Sequence, residues 1–140
     1  MKKTITVIIL SIATITLCTA FIVKNSNGKS GYTGSPSEAT CANCHGGGTS
    51  AAKSISISAS PSFIQDKYLP DSAYTVSITV NATGFSEFGF GCEILNMFNL
   101  SIGNMQTAGP GVQFLNAGNG RKNATHTFPK IGTNTATFTF

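Results

Sequence analysis

The sequence predicts an all-β sandwich, and three observations carry that prediction. From Ser54 onward apolar residues recur with a period of two, the spacing of a strand with one buried face. Glycine, proline and asparagine clusters interrupt this alternation at short intervals, as turns between strands require. No window carries the stripe of a long amphipathic helix. At 140 residues the chain has room for one small domain.

Residues 1–20 read as a secretory leader. Met1-Lys2-Lys3 is a charged n-region, Ile5 to Leu17 an apolar h-region, and Cys18-Thr19-Ala20 a small-residue site with cleavage expected after Ala20. The alternative is an uncleaved anchor reaching Val23, since Ile5 to Val23 is long enough to span a bilayer. Lipid attachment at Cys18 is disfavoured by bulky Leu17. Either way the bulk of the chain is expected in the periplasm, at the cell surface or outside the cell. Membrane contact is expected only through an uncleaved leader. Residues 21–37, rich in Gly, Ser and Asn from Asn25 to Ser37, read as an extended linker. Residues 38–50 form a cofactor-attachment segment, in which Ser37 would cap a short helical turn carrying Cys41 to His45.

Residues 51–140 hold the expected sandwich. Ile55, Ile57 and Ala59 alternate with serines in a first strand ending at Pro61. After the Tyr68-Leu69-Pro70-Asp71-Ser72 turn, Tyr74, Val76, Ile78 and Val80 make a second. Phe88, Phe90, Cys92 and Ile94 suggest a third, with Cys92 a core residue. Further strands are expected near Phe98 to Ile102, Val112 to Leu115, Thr125 to Phe128 and Thr135 to Phe140. The last alternates like a core strand and stops without a polar tail, which suggests a truncated sandwich.

Cys41-Ala42-Asn43-Cys44-His45 is the strongest chemical signal. Two thiols three residues apart with a histidine directly after the second is the spacing of covalent haem c attachment. Over one tight turn both sulfurs reach the two porphyrin vinyl groups, and the following imidazole of His45 lies where it can be the proximal iron ligand. Gly46-Gly47-Gly48 suits a chain leaving close to the porphyrin face. A Cys41–Cys44 disulfide or redox pair is one alternative, although no βαβ pattern accompanies it. A metal ion held with His45 and His126 is another, although adjacent Cys44 and His45 converge poorly on one tetrahedral ion. Removing Cys18 with the leader leaves Cys41, Cys44 and Cys92, an odd number that fits a disulfide scaffold badly and two thioethers plus one unpaired thiol well.

Composition narrows the function classes. Charged residues are only 10% of the chain. Without Lys2 and Lys3, seven basic residues face five acidic ones, a balance unlike the clustered basic face of a nucleic-acid binder. Arg121-Lys122 reads as a solvated turn. The acidic residues are scattered, no Ser-His-Asp set assembles, and the chain is not expected to be an enzyme. Three glycosylation sequons, at Asn81, Asn99 and Asn123, carry little weight in a chain so rich in Asn and Thr.

Several stretches resemble a known family: Gly31-Tyr32-Thr33-Gly34-Ser35-Pro36, the Cys41–His45 motif, Tyr68-Leu69-Pro70 with Tyr74-Thr75-Val76, and Phe88-Gly89-Phe90. Together they are similar to the bacterial reelin-type (reeler) domain proteins, exported proteins of Bacteroidetes-like bacteria often named for a choice-of-anchor C-terminus. The resemblance spans residues 31–140. It implies an immunoglobulin-like β-sandwich with a CxxCH segment on its N-terminal side, and a late histidine-threonine pair that Thr125-His126-Thr127 matches. Two features depart from the family: this sequence has no tryptophan and no C-terminal sorting segment.

His126 is the favoured distal ligand to a single covalent haem c, with an open position, Met97 or Met105 as alternatives. The expected role is electron transfer or haem-based sensing at the cell envelope, with a redox partner. The competing expectation is a cell-surface interaction module with its own partner, in which Cys41 and Cys44 form a disulfide.

Overall fold

The computed structural model describes residues 26–45, 52–65, 67–118 and 120–140. The expected leader and Gly46-Gly47-Gly48 lie outside the described residues. Among the described residues no helix is long and apolar enough to cross a membrane.

Among the described residues the protein is all-β apart from one 3-10 turn at Cys41–Asn43. Eight strands follow: β1 (Lys53–Ser60), β2 (Thr75–Ala82), β3 (Glu87–Phe88), β4 (Gly91–Cys92), β5 (Val112–Asn116), β6 (Lys122–His126), β7 (Lys130–Ile131) and β8 (Thr135–Thr139). They form a three-stranded sheet β1-β2-β8, a three-stranded sheet β4-β6-β5 and a small β3-β7 ribbon. All the pairings are antiparallel.

Alternation explains β2 and β8 directly. Ile78 and Val80 lie opposite Phe138 and Ala136 on the inner face. The outer face carries hydroxyl pairs, Ser77 with Thr139 at 3.0 Å and Thr79 with Thr137 at 2.9 Å, a cross-strand pairing that suits a wet surface. Both three-stranded sheets feed one core containing Ile78, Ala136 and Phe138 from the first, Val112 and Ala124 from the second, and Phe88 and Phe90 from the chain between. Phe90 bridges them, its ring centroid 4.5 Å from that of Phe138.

Four expectations need correction. The single strand expected over Phe88 to Ile94 is two short ones in different sheets. Gly89 and Gly91 offer no side chains to a ladder, so the chain changes sheets between them. Phe98 to Ile102 is a turn in which the Asn96 side-chain carbonyl accepts hydrogen bonds from the amides of Phe98 (2.9 Å) and Leu100 (3.0 Å). Asparagine competes in this way with strand pairing. The strand expected at Thr125 to Phe128 begins earlier, at Lys122, and ends at His126, three residues before Pro129. Finally, Ile55 and Ile57 are 70% and 61% exposed. They share a face with Val80 and Ile78, but β1 is the edge strand of its sheet.

Candidate haem site

The described part of the stretch read as a linker, residues 26–37, is tied along β6 by its backbone and side chains. The Gly28 amide donates to the His126 carbonyl at 2.8 Å, and the Gly31 amide to Asn123 Oδ1 at 2.7 Å. Asn123 is fully buried and donates in turn to Glu38 Oε1 at 3.3 Å. Arg121 Nη1 donates to the Pro36 carbonyl at 2.7 Å. The strap closes on itself where Ala39 donates to Gly31 and Gly34 to Ala39. This fold-back needs the left-handed backbone of Gly31 (φ 79°) and Gly34 (φ 78°), which glycine adopts without a Cβ penalty.

The strap delivers the CxxCH motif. Thr40, rather than Ser37, precedes the turn as its cap, and its amide and hydroxyl both donate to Asn43 Oδ1 at 3.2 Å. Ser37 instead has φ 70°. The His45 amide donates to the Cys41 carbonyl at 2.9 Å, so the turn closes immediately before the imidazole. Cys41 and Cys44 are free thiols, and both are exposed, as is His45.

A shallow, open cleft lies between strap and sheet, with about 430 Å³ of non-atom space that includes its open mouth. Cys41, Cys44, His45 and Tyr32 from the strap line it together with Phe90 and His126 from the sheet side of the chain. The two histidines, distant in sequence, therefore face the same space. His126 Nδ1 lies 3.1 Å from both the amide and the carbonyl of Phe90. The ring tautomer decides between the two contacts: an unprotonated Nδ1 accepts from the amide, whereas a protonated Nδ1 donates to the carbonyl and leaves the Nε2 lone pair free, the arrangement metal-bound histidines use. Met97 is exposed and Met105 packs against the core, and neither lines the cleft.

These residues fit haem c. Two accessible thiols at the attachment spacing, an imidazole after the second, and a second imidazole lining the same mostly apolar cleft form the donor set such a group needs. A bare ion is matched less well: among the described residues no three His, Cys, Asp or Glu side chains are grouped to hold one.

Behind the strap lies a polar cluster that sequence reasoning missed. Arg121 is buried rather than solvated, and its Nη1 pairs with Glu93 Oε1 at 3.0 Å while Nη2 donates to the Asn99 carbonyl. The Glu93 side chain is 2% exposed; Ser35 donates to its Oε1, and its Oε2 is buried without a hydrogen-bond partner. Thr33 Oγ1 donates to Glu38 Oε2 at 2.6 Å and reaches Glu93 at 3.4 Å, which brings the two carboxylates to one hydroxyl. Burial alone would raise the Glu38 pKa. Hydrogen bonds from the Thr33 hydroxyl and amide and from Asn123, with the Arg121 charge, outweigh it and leave the value lowered. Cys92, half-buried against the core, has its thiol pushed up to about 12, first by desolvation and then by the Glu93 charge. A lone glutamate within an otherwise apolar alternation was the one signal of this cluster in the sequence.

No family model, curated protein or solved structure matches the chain.

Proposed function

We propose that this chain is an exported, reelin-like protein with an immunoglobulin-like β-sandwich that carries one covalent haem c, and that it serves electron transfer or haem-based sensing at the cell envelope. The observation that carries this reading is the shared cleft: Cys41, Cys44 and His45 on the strap and His126 at the end of β6 line one space. Cys41 and Cys44 would each add S–H across a porphyrin vinyl group, a step that needs no oxidant and has no leaving group. His45 would hold the proximal position and His126 the distal one. When bound, the group supplies a one-electron couple, and bis-histidine ligation in an exposed site favours a low potential. Phe90 forms the apolar wall and, through its backbone, orients the His126 ring. Because the cleft opens to solvent at the strap, a redox partner can approach without the sandwich opening.

The test is expression with the cytochrome c maturation machinery, followed by haem staining of a denaturing gel and an absorption spectrum. Covalent haem is expected in the parent protein and absent from the Cys41→Ala/Cys44→Ala variant. His126→Ala should keep the haem but lose the low-spin, six-coordinate spectrum. Colourless parent protein from that host would overturn the reading. The second reading, a cell-surface interaction module with a Cys41–Cys44 disulfide, draws support from the exposed apolar side chains of Ile55, Ile57, Met97, Phe98 and Leu100. It predicts a colourless protein in which both thiols resist alkylation until reduced.

A further inference from the structure

Gly89 separates the two short strands β3 and β4, one residue before the Phe90 backbone that contacts His126 Nδ1. A Cβ built on Gly89 would lie 2.5 Å from Cε1, 2.8 Å from Nε2 and 2.9 Å from Nδ1 of His126. These three ring atoms are its nearest neighbours. The imidazole therefore rests directly over the Gly89 Cα, while its Nδ1 is held by the next residue. Gly89 is exposed, and its φ lies outside the left-handed region where glycine is required. Backbone geometry thus gives no reason for glycine here. The ring above it does.

We propose that Gly89 is a positioning residue for His126: the missing side chain leaves the space in which the imidazole sits, and with it the direction in which Nε2 enters the cleft. The inference rests on the haem reading for its consequence, but the geometry belongs to the chain itself. A methyl group at residue 89 cannot coexist with the ring where it stands, and the ring must turn or lift away. His45, Cys41 and Cys44 are untouched by that change, so covalent attachment should survive while distal ligation is lost.

The experiment compares the parent protein with Gly89→Ala, His126→Ala and the control Gly118→Ala, whose added Cβ meets nothing within 4 Å. In haem-loaded protein, Gly89→Ala should stain for covalent haem like the parent, yet lose the low-spin spectrum as His126→Ala does. Added imidazole should restore that spectrum in both. Gly118→Ala should match the parent. A parent-like spectrum for Gly89→Ala with haem attached would overturn the inference while leaving the haem reading intact. In haem-free protein, NMR should show a nuclear Overhauser contact between the Gly89 α-protons and His126 Hε1. That contact should be lost, with shifted His126 ring resonances, in Gly89→Ala while the remaining amide spectrum is preserved. Absence of the contact in the parent would overturn the inference even if no haem is ever attached.

Discussion

Cys92 and the two motif cysteines differ in what surrounds the sulfur rather than in the residue. A thiol reacts as thiolate, and desolvation beside Glu93 holds Cys92 protonated to about pH 12. Cys41 and Cys44 stand in solvent. In haem-free, reduced protein, iodoacetamide at pH 8 should modify Cys41 and Cys44 and spare Cys92 until the protein unfolds, read by peptide mass mapping. Rapid native labelling of Cys92 would contradict its placement. The Arg121–Glu93 pair makes a second prediction. Removing one partner of a buried ion pair leaves the other charge uncompensated, so Arg121→Ala should lower unfolding stability by about 3–5 kcal/mol in denaturant titrations. A loss below about 1 kcal/mol, the range of exposed pairs, would place Arg121 at the surface instead. Glu38 supplies a pH dependence. Its folded-state pKa lies below its ordinary value of 4.5, so in acid the unfolded chain binds more protons than the native one. The stability that this carboxylate contributes is present above 4.5 and is lost as pH falls through the lowered value. Thermal unfolding of Glu38→Gln should be less dependent on pH across that acid window than the parent's.

Among the elements, β1 and β2 show how identical patterns can have unequal weight. Ile57 and Ile78 are direct cross-strand partners with the same alternation around them. Ile78 is 4% exposed and belongs to the core, while Ile57 is mostly in solvent. Truncating a packed core isoleucine leaves a cavity, so Ile78→Ala should cost about 2–5 kcal/mol. Ile57→Ser should stay within about 0.5 kcal/mol, as surface changes do. Equal losses in the two variants would mean that the Ile57 face of β1 is covered in solution. The strap is an element of a different kind, with no regular structure beyond the turn at Cys41–Asn43. Its order comes from β6, whose Asn123 receives Gly31 and reaches Glu38 on either side of the loop that precedes the motif.

For the whole molecule, the cleft exists because two connections meet. The strap starts at the His126 end of β6, runs to Asn123 and Arg121 and folds back through Ala39, and the chain between β3 and β4 brings Phe90 beneath the same histidine. Phe90 is also the aromatic bridge to Phe138, so the ring that anchors the two sheets together is one backbone unit from the imidazole it orients. The His126 half of the candidate site is thus built on the core, while His45 ends an exposed turn.

Local chemistry made much of this legible in advance. Strands β1, β2, β5 and β8 follow from an alternation that involves only neighbouring residues. The spacing of Cys41, Cys44 and His45 marked one half of the candidate site, because a tight turn brings those side chains together without help from the rest of the chain. Only the tertiary structure decided the other half. Whether Phe88 to Ile94 pairs as one strand or switches sheets at its glycines depends on partners far away in sequence, and that switch gives His126 its place in the cleft. Burial is likewise a property of what lies above a residue: Ile55 and Ile57 stand on the edge strand of their sheet, and Arg121 sinks because Glu93 and the carbonyls of Pro36 and Asn99 supply the acceptors that water would otherwise provide. Alternation encodes which face a residue takes; packing between distant segments determines whether that face is covered.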